Sequence, residues 1–112
     1  MEYAILSPME FAKRMFVGES YRGKSLGIIK KLLKRKLLLN TYLVCLAENP
    51  VDPLEYFDAK QLLQSYYDNA PLYVCGIAKG EEEAVTVIKN IIEASEESGH
   101  DTVRSFVEEL FS

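Results

Sequence analysis

Thr41-Tyr42-Leu43-Val44-Cys45-Leu46-Ala47 is apolar almost throughout, with aromatic and β-branched residues at its start. That is the pattern of a strand buried on both faces. A second run of the same kind follows at Leu72-Tyr73-Val74-Cys75-Gly76-Ile77-Ala78. Between them Glu48-Asn49-Pro50-Val51-Asp52-Pro53 breaks the chain. A helix is then expected from one of two capping boxes, Asp52-Pro53-Leu54-Glu55 or Asp58-Ala59-Lys60-Gln61. The later start is preferred. It leaves Leu54 to Phe57 extended or irregular and carries the helix through Leu62, Leu63 and Tyr66 to Asn69-Ala70-Pro71. Strand, helix, strand and a further helix predict parallel strands joined by a right-handed crossover.

Downstream, Lys79-Gly80 turns the chain into a helix whose first turn holds Glu81, Glu82 and Glu83, where negative charge suits the dipole. Val85, Ile88, Ile91 and Ile92 are its expected core stripe, and Gly99 its cap. From Asp101 a last helix places Val103, Phe106, Val107, Leu110 and Phe111 on one face. Upstream, Tyr3-Ala4-Ile5-Leu6 reads as a small strand. Ser7-Pro8-Met9-Glu10 is a strong helix start, predicting a helix over 8–17 with Phe11, Met15 and Phe16 on its apolar edge. A loop over 18–25 leads to a helix from Ser25 to Asn40, with Leu26, Ile29, Leu33 and Leu37 inward and Lys30, Lys31, Lys34 and Arg35 outward. The sum is one small α/β domain over 1–112, with two or three parallel strands (about 3–6, 41–47 and 72–78) and four or five helices.

The 112 residues are 48% hydrophobic and 27% charged, which excludes disorder, collagen and a disulfide scaffold. One domain of this size leaves no room for a multi-part enzyme. The N-terminus lacks a basic segment followed by a long apolar one, so no secretory signal is read. The longest nearly apolar run, Leu37 to Ala47, is about half of the ~20 residues a membrane span needs. A cytoplasmic location is expected, with Cys45 and Cys75 as buried, reduced thiols and not a disulfide.

The net charge of -4 conceals a division. Residues 1–40 carry nine Lys/Arg against three Asp/Glu, and residues 41–112 carry four against fourteen. Seven of the thirteen basic residues lie between Arg22 and Lys36. Such asymmetry points to an acidic or membrane partner, or to a basic helix lying beside acidic ones in the same domain.

The sharpest motif is Gly18-Glu19-Ser20-Tyr21-Arg22-Gly23-Lys24-Ser25, which matches the phosphate-binding pattern G-x-x-x-x-G-K-[ST]. In that pattern backbone N–H groups curl around phosphates, the Lys reaches their outer oxygens and the hydroxyl ligates Mg²⁺. Gly23, Lys24 and Ser25 are therefore candidate nucleotide ligands, with Glu48 as a stand-in for the acidic Mg²⁺ ligand. The pattern requires a buried strand just before its first glycine. The helix expected over 8–17 denies it one, and beyond these eight residues the chain resembles no P-loop NTPase.

The second candidate is the basic helix, with Lys30, Lys31, Lys34 and Arg35 as partner-binding residues. No aromatic residue within 24–36 is available to stack on bases, and the acidic overall balance opposes nucleic acid. Cys75 lies mid-strand and is followed by three glutamates, a poor setting for a reactive thiol. A single histidine, His100, supports no metal site, and no G-x-S-x-G element provides a nucleophile. No cofactor or catalytic residue is expected. The leading reading is a non-enzymatic interaction module that docks an acidic partner or a second copy of itself. The alternative is a phosphate-binding protein using Gly18–Ser25.

Overall fold

The computed structural model describes residues 9–47, 49, 51–63 and 71–112. Four strands form one mixed sheet: β1 (Met9–Val17), β2 (Thr41–Leu46), β3 (Leu54–Asp58) and β4 (Leu72–Lys79), in the order β1-β4-β2-β3. Three α-helices are present among the described residues: α1 (Ser25–Leu33), α2 (Glu81–Ser98) and α3 (Val103–Glu109). Short 3-10 turns span Glu19–Tyr21 and Ala59–Leu63.

The two decisive strands stand where their composition puts them, but their direction differs from the expectation. β2 is antiparallel to β4, with Leu43 opposite Ile77. The reason is β3. Leu54–Asp58 is extended and folds back on β2, with Val44 opposite Tyr56, and β4 then runs in the same direction as β3. The reversal at the β2–β3 hairpin is what leaves β4 antiparallel to β2 on its other side. Among the described residues the only parallel pair is β1 with β4.

β1 is the larger correction, since a helix was expected over 8–17. Its register to β4 comes in two pieces, Met9 to Phe11 against Leu72 to Val74, and Phe16–Val17 against Gly76–Ile77. The residues between form a bulge. In the bulge the N–H groups of Lys13 and Arg14 donate to the Leu110 carbonyl at the end of α3, at 2.8 and 3.4 Å. The bulge destroys the period of two, and Phe11, Met15 and Phe16 then fall at a spacing that imitates a helix. The strand expected at 3–6 and the helix expected to run on past Leu63 to Asn69 lie outside the described residues.

Helices cover both faces of the sheet. On one, α2 and α3 bury Ala84, Val87, Ile91, Val107 and Leu110 against Val44, Cys75 and Ala78. On the other, Tyr21, Leu32, Ala59 and Leu62 cover Leu43, Cys45, Val74 and Ile77. Gly76 is required where α2 comes closest, because a Cβ there would lie 2.8 Å from Val87 Cγ1. Cys45 and Cys75 are both free and buried, on opposite faces. Desolvation pushes the Cys75 thiol up to about 12. Desolvation also raises Cys45 well above its ordinary value, helped by Cys75 and Glu55.

Candidate functional site

Strand β1 runs directly into Gly18, and α1 begins at Ser25. A strand therefore precedes the motif, but it is an edge strand in which only Ala12 is buried, and not the buried strand the phosphate-binding pattern requires. The loop itself is shaped by other demands. The N–H groups of Tyr21, Arg22 and Lys24 donate to the carbonyls of Gly18, Glu19 and Tyr21, at 2.9, 3.2 and 2.8 Å. These donors close turns and do not face a common anion. The loop does hold a carboxylate, that of Glu83 in the first turn of α2. The Ser20 hydroxyl donates to it at 2.6 Å, the Ser20 N–H at 3.2 Å and the Lys79 N–H at 2.8 Å. Glu83 lies so close that a Cβ on Gly18 would meet its Oε1 at 2.1 Å. Partial desolvation acts to raise the Glu83 carboxyl. The Ser20 hydroxyl, the two backbone N–H groups and the Lys79 charge outweigh it, and hold the group below its ordinary value.

Beside this contact is a cleft of about 860 Å³ lined by Glu19, Glu81, Glu82 and Glu83, with Arg22 and Lys89 as its cations. Gly23, Lys24 and Ser25 are not among the lining residues. Lys24 is exposed and Ser25 half-buried. The structure thus brings the first half of the motif to a carboxylate-lined cleft and leaves the second half outside it. Four carboxylates repel a phosphate chain over the same distances at which two cations attract it. Glu48 lies outside the described residues.

The basic segment has a different character from that expected. Leu32 is 1% exposed and Ile28 packs beside it on the core. Leu26, Leu33 and Leu37, expected inward, are 65%, 53% and 58% exposed, and Ile29 is half-buried. Ile28-Ile29 and Leu32-Leu33 offer two apolar stripes one residue out of phase, and spacing cannot choose between them. The choice is made outside the helix. Tyr21 and Thr41 share a buried 2.6 Å hydroxyl contact that ties the loop before α1 to the first residue of β2. The helix also stops at Leu33, before the expected Asn40. Arg35 takes φ 54°, and the N–H groups of Arg35 and Lys36 donate to the Leu32 and Lys31 carbonyls, both at 3.0 Å. This is a Schellman-type stop with arginine in the left-handed position glycine usually fills.

Of the candidate partner-binding residues, Lys30, Lys31 and Lys34 are exposed. Arg35 is half-buried, and its Nη1 reaches toward Met9 Sδ at 3.8 Å. No carboxylate occurs from Arg22 to Ala47. Lys24, Lys30, Lys31, Lys34 and Lys36 form no ion pair among the described residues. The basic helix does not lie beside the acidic ones. The sheet separates α1 from α2, whose exposed positions include Glu81, Glu82, Glu93, Glu96 and Glu97.

One constellation escaped the sequence reading. His100 Nδ1 lies 2.7 Å from Ser98 Oγ, and its Nε2 contacts a Glu109 carboxylate oxygen. The Ser98 hydroxyl, however, donates to the Ser95 carbonyl at 2.6 Å. Its proton is held by the end of α2, so the group acts as a cap tying α2 to α3 and not as a nucleophile. Only the packing of α3 brings Glu109 to His100, and no sequence signal marks it. Among the described residues no three of His, Cys, Asp and Glu are placed to hold a metal ion. Among the same residues no helix is long and apolar enough to cross a membrane. The chain matches no known family, no curated protein and no solved structure.

Proposed function

We propose that this protein is a non-enzymatic docking module that holds an acidic partner surface on the outer face of α1 and the turn after it. One observation carries the reading. Leu26, Leu33 and Leu37 stand exposed among lysines that have no ion pair among the described residues. Full burial of a leucine is worth ~1.5–3 kcal/mol, each of these forgoes roughly half of it, and an occupant of the face recovers part of that. The lysines add attraction and orientation, and the interaction weakens as salt screens them.

The test is capture of partners by immobilised protein at low salt. A Lys30→Glu/Lys31→Glu/Lys34→Glu variant and a Leu26→Ser/Leu33→Ser variant keep the wild-type melting temperature, since all five side chains are exposed or largely so, and both lose what the wild type captures. Capture unchanged in both variants removes the docking role.

A second reading follows from β1, an edge strand that leads straight into Gly18 and so supplies the strand-loop-helix order of the phosphate-binding pattern. Against it stand Glu83 in the loop and the carboxylates of the cleft. Calorimetric titration with ATP and Mg²⁺ is expected to show no saturable binding. Saturation that disappears on Lys24→Ala would promote this reading over docking.

A further inference from the structure

We infer that the acidic surface docked by α1 is an anionic phospholipid bilayer, with the leucines entering the headgroup boundary and the lysines resting on the phosphates. This rests on the docking reading of α1 and names its partner.

The composition of the face discriminates between lipid and protein. Protein interfaces draw their binding energy from Trp, Tyr and Arg, under-use Leu and are depleted in Lys. The exposed face here is the reverse. Leu26, Leu33, Leu37 and Leu39 are each more than half exposed, at 65%, 53%, 58% and 73%, and the charges around them are Lys24, Lys30, Lys31, Lys34 and Lys36. The one arginine of the stretch after α1, Arg35, is half-buried and reaches toward Met9. Leucine on one flank of a surface helix with lysine on the other is the arrangement that lies in a membrane interface. Long lysine stems cover apolar surface while their heads stay at the phosphates. A cluster of five lysines matches the polybasic segments that anionic leaflets attract.

Charge placement supports the same occupant. From Arg22 to Ala47 there is no carboxylate to oppose an anionic surface. The exposed glutamates later in α2, Glu93, Glu96 and Glu97, belong to the helix that packs on the opposite face of the sheet from Leu32 of α1. With α1 against the bilayer, they face solvent. The net charge of -4 therefore does not prevent binding, and it orients the molecule.

The experiment is vesicle flotation of the full chain with phosphatidylcholine alone and with about one-third phosphatidylserine added. Wild type is expected to float with the mixed vesicles, to stay unbound with phosphatidylcholine alone, and to be released by salt. Each lysine near such a surface contributes roughly fivefold in partitioning, so Lys30→Glu/Lys31→Glu/Lys34→Glu should lower it by at least about a hundredfold. Leu26→Ser/Leu33→Ser should lower it by about tenfold or more at constant charge, which attraction of lysines alone does not explain. Far-ultraviolet circular dichroism checks that both variants remain folded. Wild type that does not float with the mixed vesicles, or reversal variants that float equally well, overturns the inference. If flotation fails while protein capture still depends on the same residues, the docking reading survives with a protein as its partner. If both fail, both readings fall.

Discussion

Helices α1 and α3 were both read from an apolar stripe, and only α3 presents the expected one. In α3 and its last turn the apolar residues Val103, Phe106, Val107, Leu110 and Phe111 share one face. Val107 and Leu110 are fully buried, and the other three pack partly buried against the same core. In α1 six of the nine residues, counting Gly27, are apolar, and they make two overlapping stripes. Ile28 and Leu32 took the core, while Leu26, Leu33 and the later Leu37 were left outside. An amphipathic helix with one stripe has one solution, and a helix with two has a surplus. In α3 the core accounts for every apolar residue, whereas in α1 the surplus needs another occupant. α2 lies between these cases. It buries the expected Ile91 together with Ala84 and Val87, leaving Ile88 half-buried and Val85 and Ile92 a little over one-third exposed.

The two cysteines offer the widest measurement of this contrast. Cys75 lies under the α2/α3 layer and Cys45 under the α1 layer. Native labelling of both should be at least about a thousandfold slower than in denaturant, because reaction waits on opening of a structure stable by several kcal/mol. Cys45 should react first, since α1 contributes only Leu32 as a fully buried side chain. Labelling of Cys75 ahead of Cys45 would reverse the ranking of the two layers.

Within α1, two neighbouring leucines separate core from surplus. Leu32→Ala should cost about 2–5 kcal/mol in urea unfolding, the range for deleting a buried leucine. Leu33→Ala should stay within about 0.5 kcal/mol of wild type, as surface substitutions do. Comparable losses at both sites would break the assigned phase of the helix.

The opposite layer is tested at Gly76, where the approach of α2 leaves no space for a Cβ. Gly76→Ala should destabilise by about 1–3 kcal/mol through overpacking. Adding Val87→Ala should recover part of that loss and not add to it, because the two sites touch. Strict additivity in that cycle would mean that the Val87 contact is not the cause.

The smallest effect belongs to the loop that joins the layers. Glu83 has its pKa lowered in the folded state, so its contribution is present above the ordinary carboxylate range and is lost as pH falls through the lowered value. Solvent screening limits it to at most about 1 kcal/mol. Stability against pH should therefore be flatter on the acid side in Glu83→Gln, and in Ser20→Ala to a lesser degree. A steeper acid limb in Glu83→Gln would contradict the assigned direction.

By itself the sequence determined the elements whose composition admits one answer. Thr41–Leu46 and Leu72–Lys79 are strands because apolar runs of that length fit a sheet covered on both faces. α2 and α3 lie where their N-terminal glutamates, the Gly99 cap and the α3 stripe put them. The lysine cluster and the division of charge were legible for the same reason, since exposed charge follows from composition. Only the tertiary structure decided what depends on partners distant in the chain. Met9–Val17 became a strand because Leu72–Ile77 and the Leu110 carbonyl were available to its backbone, and its bulge hid the alternation that would have revealed it. The direction of β2 against β4 was decided by the β3 hairpin, a pairing whose register no local propensity encodes. Which face of α1 turned inward was also decided from outside the helix. Its two stripes offer comparable apolar surface, and the anchoring of the loop before the helix to β2 acts on the choice between them.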